Sequence, residues 1–310
     1  MPKVAIVGSG LIGRAWAMIF ARAGWNAALT DPTPGAVEAA LTACREGLDT
    51  LAAQGLCDNP TAVYGRITAA GSLAEAVAGA AYVQENGPEV LDIKRALFSE
   101  LDRLAAPDTI LASSTSAIQC SLFTEGLPGQ ARCLVAHPVN PPHLVPVVEL
   151  SGAPWTAPET IVRTRDIMAG IGQAPVAVLK EVDGFILNRL QAALLSEAFR
   201  LVEEGYVTPQ DLDTTISEGL GLRWSFMGPF ETIELNAPGG VPDYCARYSP
   251  FFRRLASDPP SPEVWAPEAI AGAVAAWGET PDPAVHAART RRRDGRLAAL
   301  ARHKREQNGI

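Results

Sequence analysis

KVAIVGSGLIGRAWAMIFARAGWNAALTD, Lys3 to Asp31, decides the fold. The apolar run VAIV ends at Gly8 and reads as a buried strand. A glycine-spaced turn, a helix and a second strand ending in an acid follow. Gly8 allows the tight turn, Gly10 lets the backbone approach a pyrophosphate, and Gly13 lets the helix pack on the strand. Leu11 and Ile12 complete that turn, and the helix N-terminus offers free N–H groups to phosphates. Asp31 is suited to accept from both ribose hydroxyls and to repel a 2′-phosphate, and the next residues, PTPG, hold no arginine to bind one. The stretch therefore predicts an NAD-binding α/β domain rather than one for NADP.

Composition bounds the rest. At 310 residues two domains are expected, either able to bury a core. A net charge of -8 argues against nucleic acid or an anionic membrane as the main partner, because both need basic surface, and favours a small molecule. The first apolar run is too short for a signal-peptide core and no run is long enough to span a bilayer, so the expected location is cytoplasmic. Cys44, Cys57, Cys120, Cys133 and Cys245 are odd in number and lack ligand spacing, which fits reduced thiols and no metal site.

Downstream, residues 34–54 read as helix, RITAA (66–70) as the third strand, AYVQENGPE as a fourth strand entering a loop, and Val90 to Ala105 as helix. Glu89 and Lys94 at its start are within reach of the cofactor ribose; a solvated helix face is the alternative. Strand TILAS ends in SSTS, where Ser116 can bond a substrate oxygen or simply cap the turn. No GxSxG elbow accompanies it.

AHPVNPPHLVPVVEL, Ala136 to Leu150, carries an acid and a base. His137 follows the apolar run CLVA, at the C-terminal end of a strand, where open α/β sheets hold their ligands. Glu149 interrupts a second apolar run, and the prolines between them make a stiff link that folds one run back beside the other. A carboxylate on one imidazole nitrogen fixes the tautomer and leaves the other nitrogen free to take a proton. The pair is thus either a general base or a structural ion pair.

Helix 157–171 and strand PVAVL complete the sheet, and KEVDG marks a boundary. Asp183 is expected to cap a helix from Gly184 to Glu204, apolar nearly all round and so buried on more than one side. Asn188 is its odd polar member, and the nearest polar site for it is the crevice of His137 and Ser116. Helical stretches then continue without alternating strands, giving a second, all-α domain whose apolar helices fit a dimer interface or a closed bundle. The basic segment Ala288 to Glu306 reads as a solvated terminal helix.

These motifs together resemble the L-3-hydroxyacyl-CoA dehydrogenase superfamily, and SSTS, HPVNPP, GFILNRLQ, SEGLGLRWSFMGPFET and the arginine-rich tail resemble its λ-crystallin (L-gulonate 3-dehydrogenase) branch. The resemblance covers nearly the whole chain. It implies an α/β fold, with a Rossmann-type, doubly wound, mostly parallel sheet over residues 1–182 and a smaller all-α domain over 183–310. It also implies His137 as base, Glu149 as its partner, Ser116 and Asn188 as ligands of the substrate oxygen, NAD contacts from Asp31, Glu89 and Lys94, and a homodimer. The expected reaction is NAD-dependent oxidation of the 3-hydroxyl of a small L-3-hydroxy acid. Arg223, in what reads as a glycine-flanked turn, is either a clamp for the substrate carboxylate or a surface arginine. HPVNPP stands where fatty-acid enzymes typically have HFFNPV, and Asn86 stands where λ-crystallins have cysteine. The alternatives are a CoA-ester or carnitine-type dehydrogenase and, from another class, an NAD-binding crystallin-like structural protein.

Overall fold

Side chains alternate across a strand, so a strand that is apolar at every position must be covered on both faces. From Val4 onward β1 (Lys3–Val7) follows this rule: Val4 and Ile6 enter one core with Trp16, Phe20 and Leu48, while Ala5 and Val7 enter a second with Phe98, Leu101 and Phe123. Helices Leu11–Arg22 and Ala36–Ala53 supply the first cover, and helices Leu91–Leu104 and Cys120–Thr124 the second.

The computed structural model describes residues 1–278 and 282–307. After β1 come β2 (Asn26–Thr30), β3 (Ile67–Ala69), β4 (Tyr82–Glu85), β5 (Ile110–Ser113), β6 (Cys133–Pro138), β7 (Val147–Gly152) and β8 (Ala174–Val178). They form one eight-stranded sheet in the order β3-β2-β1-β4-β5-β6-β7-β8. β1 to β6 pair in parallel; β7 runs antiparallel to β6 and parallel to β8. The strand order reverses at β1 and β4, and ligands of such sheets bind outside the carboxyl ends at that switch point. Among the described residues no helix is long and apolar enough to cross a membrane.

The chain divides into two units, Met1–Leu187 with the residues from Thr290 onward, and Asn188–Arg289. The terminal segment therefore departs from expectation. Helix Pro283–Gln307 buries Ala298, packs Leu297 and Ala301 on the first unit's core, and donates from Arg305 to the Gly55 carbonyl at 2.6 Å. Two small residues and a leucine make a narrow apolar stripe, which the flanking arginines hide in the sequence.

The second unit contains no strand among its described residues. Its leading helix runs Leu187–Glu203 and does not begin at Gly184. Gly184 and Phe185 have φ of 72° and 49°, left-handed values that exclude a right-handed helix there, so Asp183 is not its N-cap. Nor is the helix buried on more than one side: none of its residues is buried, and Leu190 is 66% exposed. Arg223 lies in helix Gly221–Trp224, which continues the π-helical segment Thr215–Leu220, and not in a turn; Gly221 itself has right-handed helical angles.

Candidate active site

The glycine turn shows why each glycine is needed. Gly8 has φ of 90°, and a Cβ there would lie 2.7 Å from the carbonyl oxygen of Asn86; one on Gly13 would lie 1.9 Å from the Gly8 carbonyl. A Cβ on Gly10 would meet nothing within 4 Å, so this glycine leaves space open at the turn where a pyrophosphate belongs. Gly10 is also the N-cap of helix Leu11–Arg22, and no side chain caps that end. The amide-lined terminus thus suits an anion. Ile12 packs against the core, while Leu11 is half exposed.

Asp31, just past β2, is locked beside the turn: its Oδ2 accepts from the Ser9 amide and hydroxyl at 2.8 and 3.0 Å, and its Oδ1 from the Thr33 amide at 2.9 Å. Burial alone would raise its pKa; the hydrogen bonds from Ser9 and Thr33 outweigh that and hold it below the usual carboxylate range. An ionised acid at this edge fits the ribose of NAD, and the residues present accommodate that cofactor.

At the ends of β5 and β6, the parallel register pairs Ser113 with Val135, so SSTS and His137 leave the same edge of the sheet. The antiparallel register of β6 and β7 sets His137 directly opposite Glu149. His137 Nδ1 lies 2.9 Å from Glu149 Oε2, with both residues buried. The second oxygen, Oε1, accepts from the amides of Ile186 and Leu187 at 2.8 and 2.9 Å. Burial pushes the Glu149 pKa up, but the hydrogen bond from His137 and those from Leu187 and Ile186 carry it below the ordinary value. Phe185, fully buried, sets its ring 5.3 Å from the imidazole, centroid to centroid. The result is an imidazole with one nitrogen committed to a carboxylate.

The helix-start residues part company. Glu89 Oε1 accepts from the Thr115 hydroxyl and from the amides of Ser116 and Ala117, both at 3.0 Å, which ties it to the serine turn. Burial would raise its pKa; the bonds from Thr115 and Ala117, the Lys94 charge and the Ser116 bond lower it. Lys94 is 1% exposed, so it is no solvated helix residue. Its ammonium meets Glu85 at 3.0 and 3.1 Å and Ser113 Oγ at 3.5 Å, with Glu89 Oε2 at 3.8 Å. Sequence reasoning missed Glu85, Ser113 and Phe185. The signal for Glu85 was an acid closing an otherwise uncharged strand; for Phe185 there was none beyond the glycine before it.

Two residues belong to the second unit. Asn188 is the second residue of helix Leu187–Glu203, next to Leu187, whose amide binds Glu149. Arg223 is exposed.

Two family models match: the NAD binding domain of 3-hydroxyacyl-CoA dehydrogenase over residues 3–182 and its C-terminal domain over residues 184–260. The chain is 47% identical to a lambda-crystallin homolog from Bos taurus over 306 residues, covering 97% of this chain and 95% of the relative. It is 38% identical over 261 residues to an L-carnitine dehydrogenase from a Pseudomonas species, covering 84% of this chain and 81% of the relative. Among solved structures it resembles FHMPC 5-dehydrogenase, an NAD+ dependent dismutase, with a TM-score of 0.85 and 32% identity over 97% of this chain and 98% of that one.

Proposed function

The chain belongs to the 3-hydroxyacyl-CoA dehydrogenase family, and from that premise we propose that it oxidises the 3-hydroxyl of a small free L-3-hydroxy acid of the L-gulonate type. It is an NAD-dependent dehydrogenase. The observation that carries the reading is the buried pair of His137 Nδ1 and Glu149 Oε2 at 2.9 Å, beside the serine turn and at the edge where the cofactor turn also opens.

Bound NAD supplies the hydride acceptor. His137 does the proton work: with Nδ1–H donated to Glu149, its Nε2 is left with a lone pair to take the hydroxyl proton. Glu149 keeps that tautomer because two amides hold its other oxygen. Ser116 and Asn188 orient the substrate oxygen, and Glu89 presents a partly exposed carboxylate to the cofactor ribose while Lys94, behind it, steadies Glu89 and Glu85. Arg223 neutralises the substrate carboxylate through the guanidinium fork. The exposed apolar side chains of the second unit, including Leu190, Leu222, Trp224, Phe226 and Phe230, support a homodimer through that unit; sedimentation at micromolar concentration tests it.

One specific observation favours a second reading, a carnitine-type substrate: the similarity to an L-carnitine dehydrogenase. The deciding experiment follows NADH absorbance with L-gulonate, L-carnitine, L-3-hydroxybutyrate and 3-hydroxybutyryl-CoA, using wild type and Arg223→Met. We expect L-gulonate or a near analogue to be preferred, and Arg223→Met to raise KM for free acids with little effect on the CoA ester. Preference for the CoA ester would overturn the proposal.

A further inference from the structure

The Asn86 side chain, just past β4, sits at the centre of a hydrogen-bonded bracket. Its Nδ2 donates to the carbonyls of Gln84 at 2.9 Å and Val7 at 3.3 Å, and its Oδ1 accepts from the Ser114 hydroxyl at 2.7 Å. Ser114 Oγ also accepts from Trp16 Nε1 at 3.0 Å and from Gln84 Nε2 at 2.7 Å. Gln84 Nε2 reaches the Ala136 carbonyl at 3.3 Å, one residue before His137.

The directions of these bonds are forced. An indole N–H and a side-chain amide NH2 only donate, so both lone pairs of Ser114 Oγ are taken and its proton must go to Asn86 Oδ1. A flipped Asn86 amide would set a donor against a hydroxyl with no lone pair left and turn its oxygen toward two carbonyls. That arrangement satisfies both polar atoms of the Asn86 side chain and the Ser114 hydroxyl, while Gln84 Oε1 is buried without a hydrogen-bond partner; linked hydrogen bonds of this kind stiffen the segments they join.

What the bracket joins matters more than its strength. Val7 leads into the glycine turn, and the Asn86 carbonyl oxygen lies 2.7 Å from where a Cβ on Gly8 would be. Ser114 stands in the serine turn after β5, and Ala136 in the strand of His137. We propose that Asn86 and Ser114 are positioning residues, which hold the cofactor turn in fixed register with the serine turn and with the base. They touch neither reacting atom; they set the separation between the hydride acceptor and His137. A displacement of about 1 Å there slows the reaction far more than it weakens substrate binding.

The test compares Asn86→Ala, Ser114→Ala and the double variant with wild type. It measures kcat and KM for L-gulonate at saturating NAD, and NADH affinity by fluorescence titration. Each single variant should lose about tenfold or more in kcat, with KM for L-gulonate changed less than about threefold and NADH bound several-fold more weakly. The double variant should be no worse than the worse single one, because both remove the same bond. Multiplying losses in the double variant, or single variants matching wild type in kcat and NADH affinity, would overturn the proposal. It rests on the reading of His137 as base for a free acid, but the titration does not. A wild type inert toward L-gulonate would defeat that reading, and the same pattern of coupled or multiplying losses in NADH affinity would still decide this one. Should Asn86→Ala fail to fold, Asn86→Leu keeps the volume with neither donor nor acceptor and carries the same test.

Discussion

Asp31 and Glu149 each hold their charge through hydrogen bonds that outweigh burial, and each charge selects something. At Asp31 the selection is between cofactors, because a fixed carboxylate bonds the ribose hydroxyls and meets a 2′-phosphate with like charge. Wild type should use NAD well ahead of NADP, and Asp31→Ser should narrow the gap; equal kcat/KM for the two cofactors in wild type would contradict this. At Glu149 the selection is between tautomers. In Glu149→Gln an amide NH2 facing Nδ1 makes that nitrogen the acceptor and moves the ring proton to Nε2, where the substrate needs a lone pair. Turnover should fall on the order of 100- to 10,000-fold. The same substitution reads out in stability. The folded pKa of Glu149 lies below its unfolded value, so the ionised group favours the fold above the unfolded carboxylate range. That contribution is lost as pH falls through the folded value. Thermal melts below about pH 4.5 should therefore show wild type losing stability more steeply than Glu149→Gln.

Elements reveal where sequence patterns are sufficient and where they are not. The glycine turn, the serine turn and the pairing of His137 with Glu149 were legible because each rests on local chemistry: glycine spacing, a strand end, and a proline-stiffened return. The start of helix Leu187–Glu203 was not, because GFILNRL has helical periodicity, while Gly184 and Phe185 take left-handed angles and Phe185 is buried in the core. The buried Lys94 and Glu85 pair was hidden for the same reason: two charges read as solvent-facing until a third element, β5, closes over them. Helix Pro283–Gln307 gives the sharpest case, since its arginines mask a docked stripe. Ala298→Leu should overpack that contact and destabilise the protein by about 1–3 kcal/mol in urea unfolding. An unchanged midpoint would mean that the helix is solvated, as its composition suggests.

At the scale of the whole molecule, the sheet order brings three loops to one edge: the cofactor turn after β1, the turn after β4 and the serine turn after β5, with His137 at the end of β6 beside them. The fold thereby unites a cofactor turn and an imidazole that lie far apart in the chain. On the mechanism proposed above, the redox chemistry belongs to the cofactor, and the protein's share is position and a base. That division is tested most directly by NADH formation from L-gulonate in wild type and His137→Ala, with NADH affinity measured in parallel. The account predicts a loss of turnover on the order of 100- to 10,000-fold with NADH bound as in wild type. Near-normal turnover by His137→Ala would contradict it, because the base would then have to lie elsewhere.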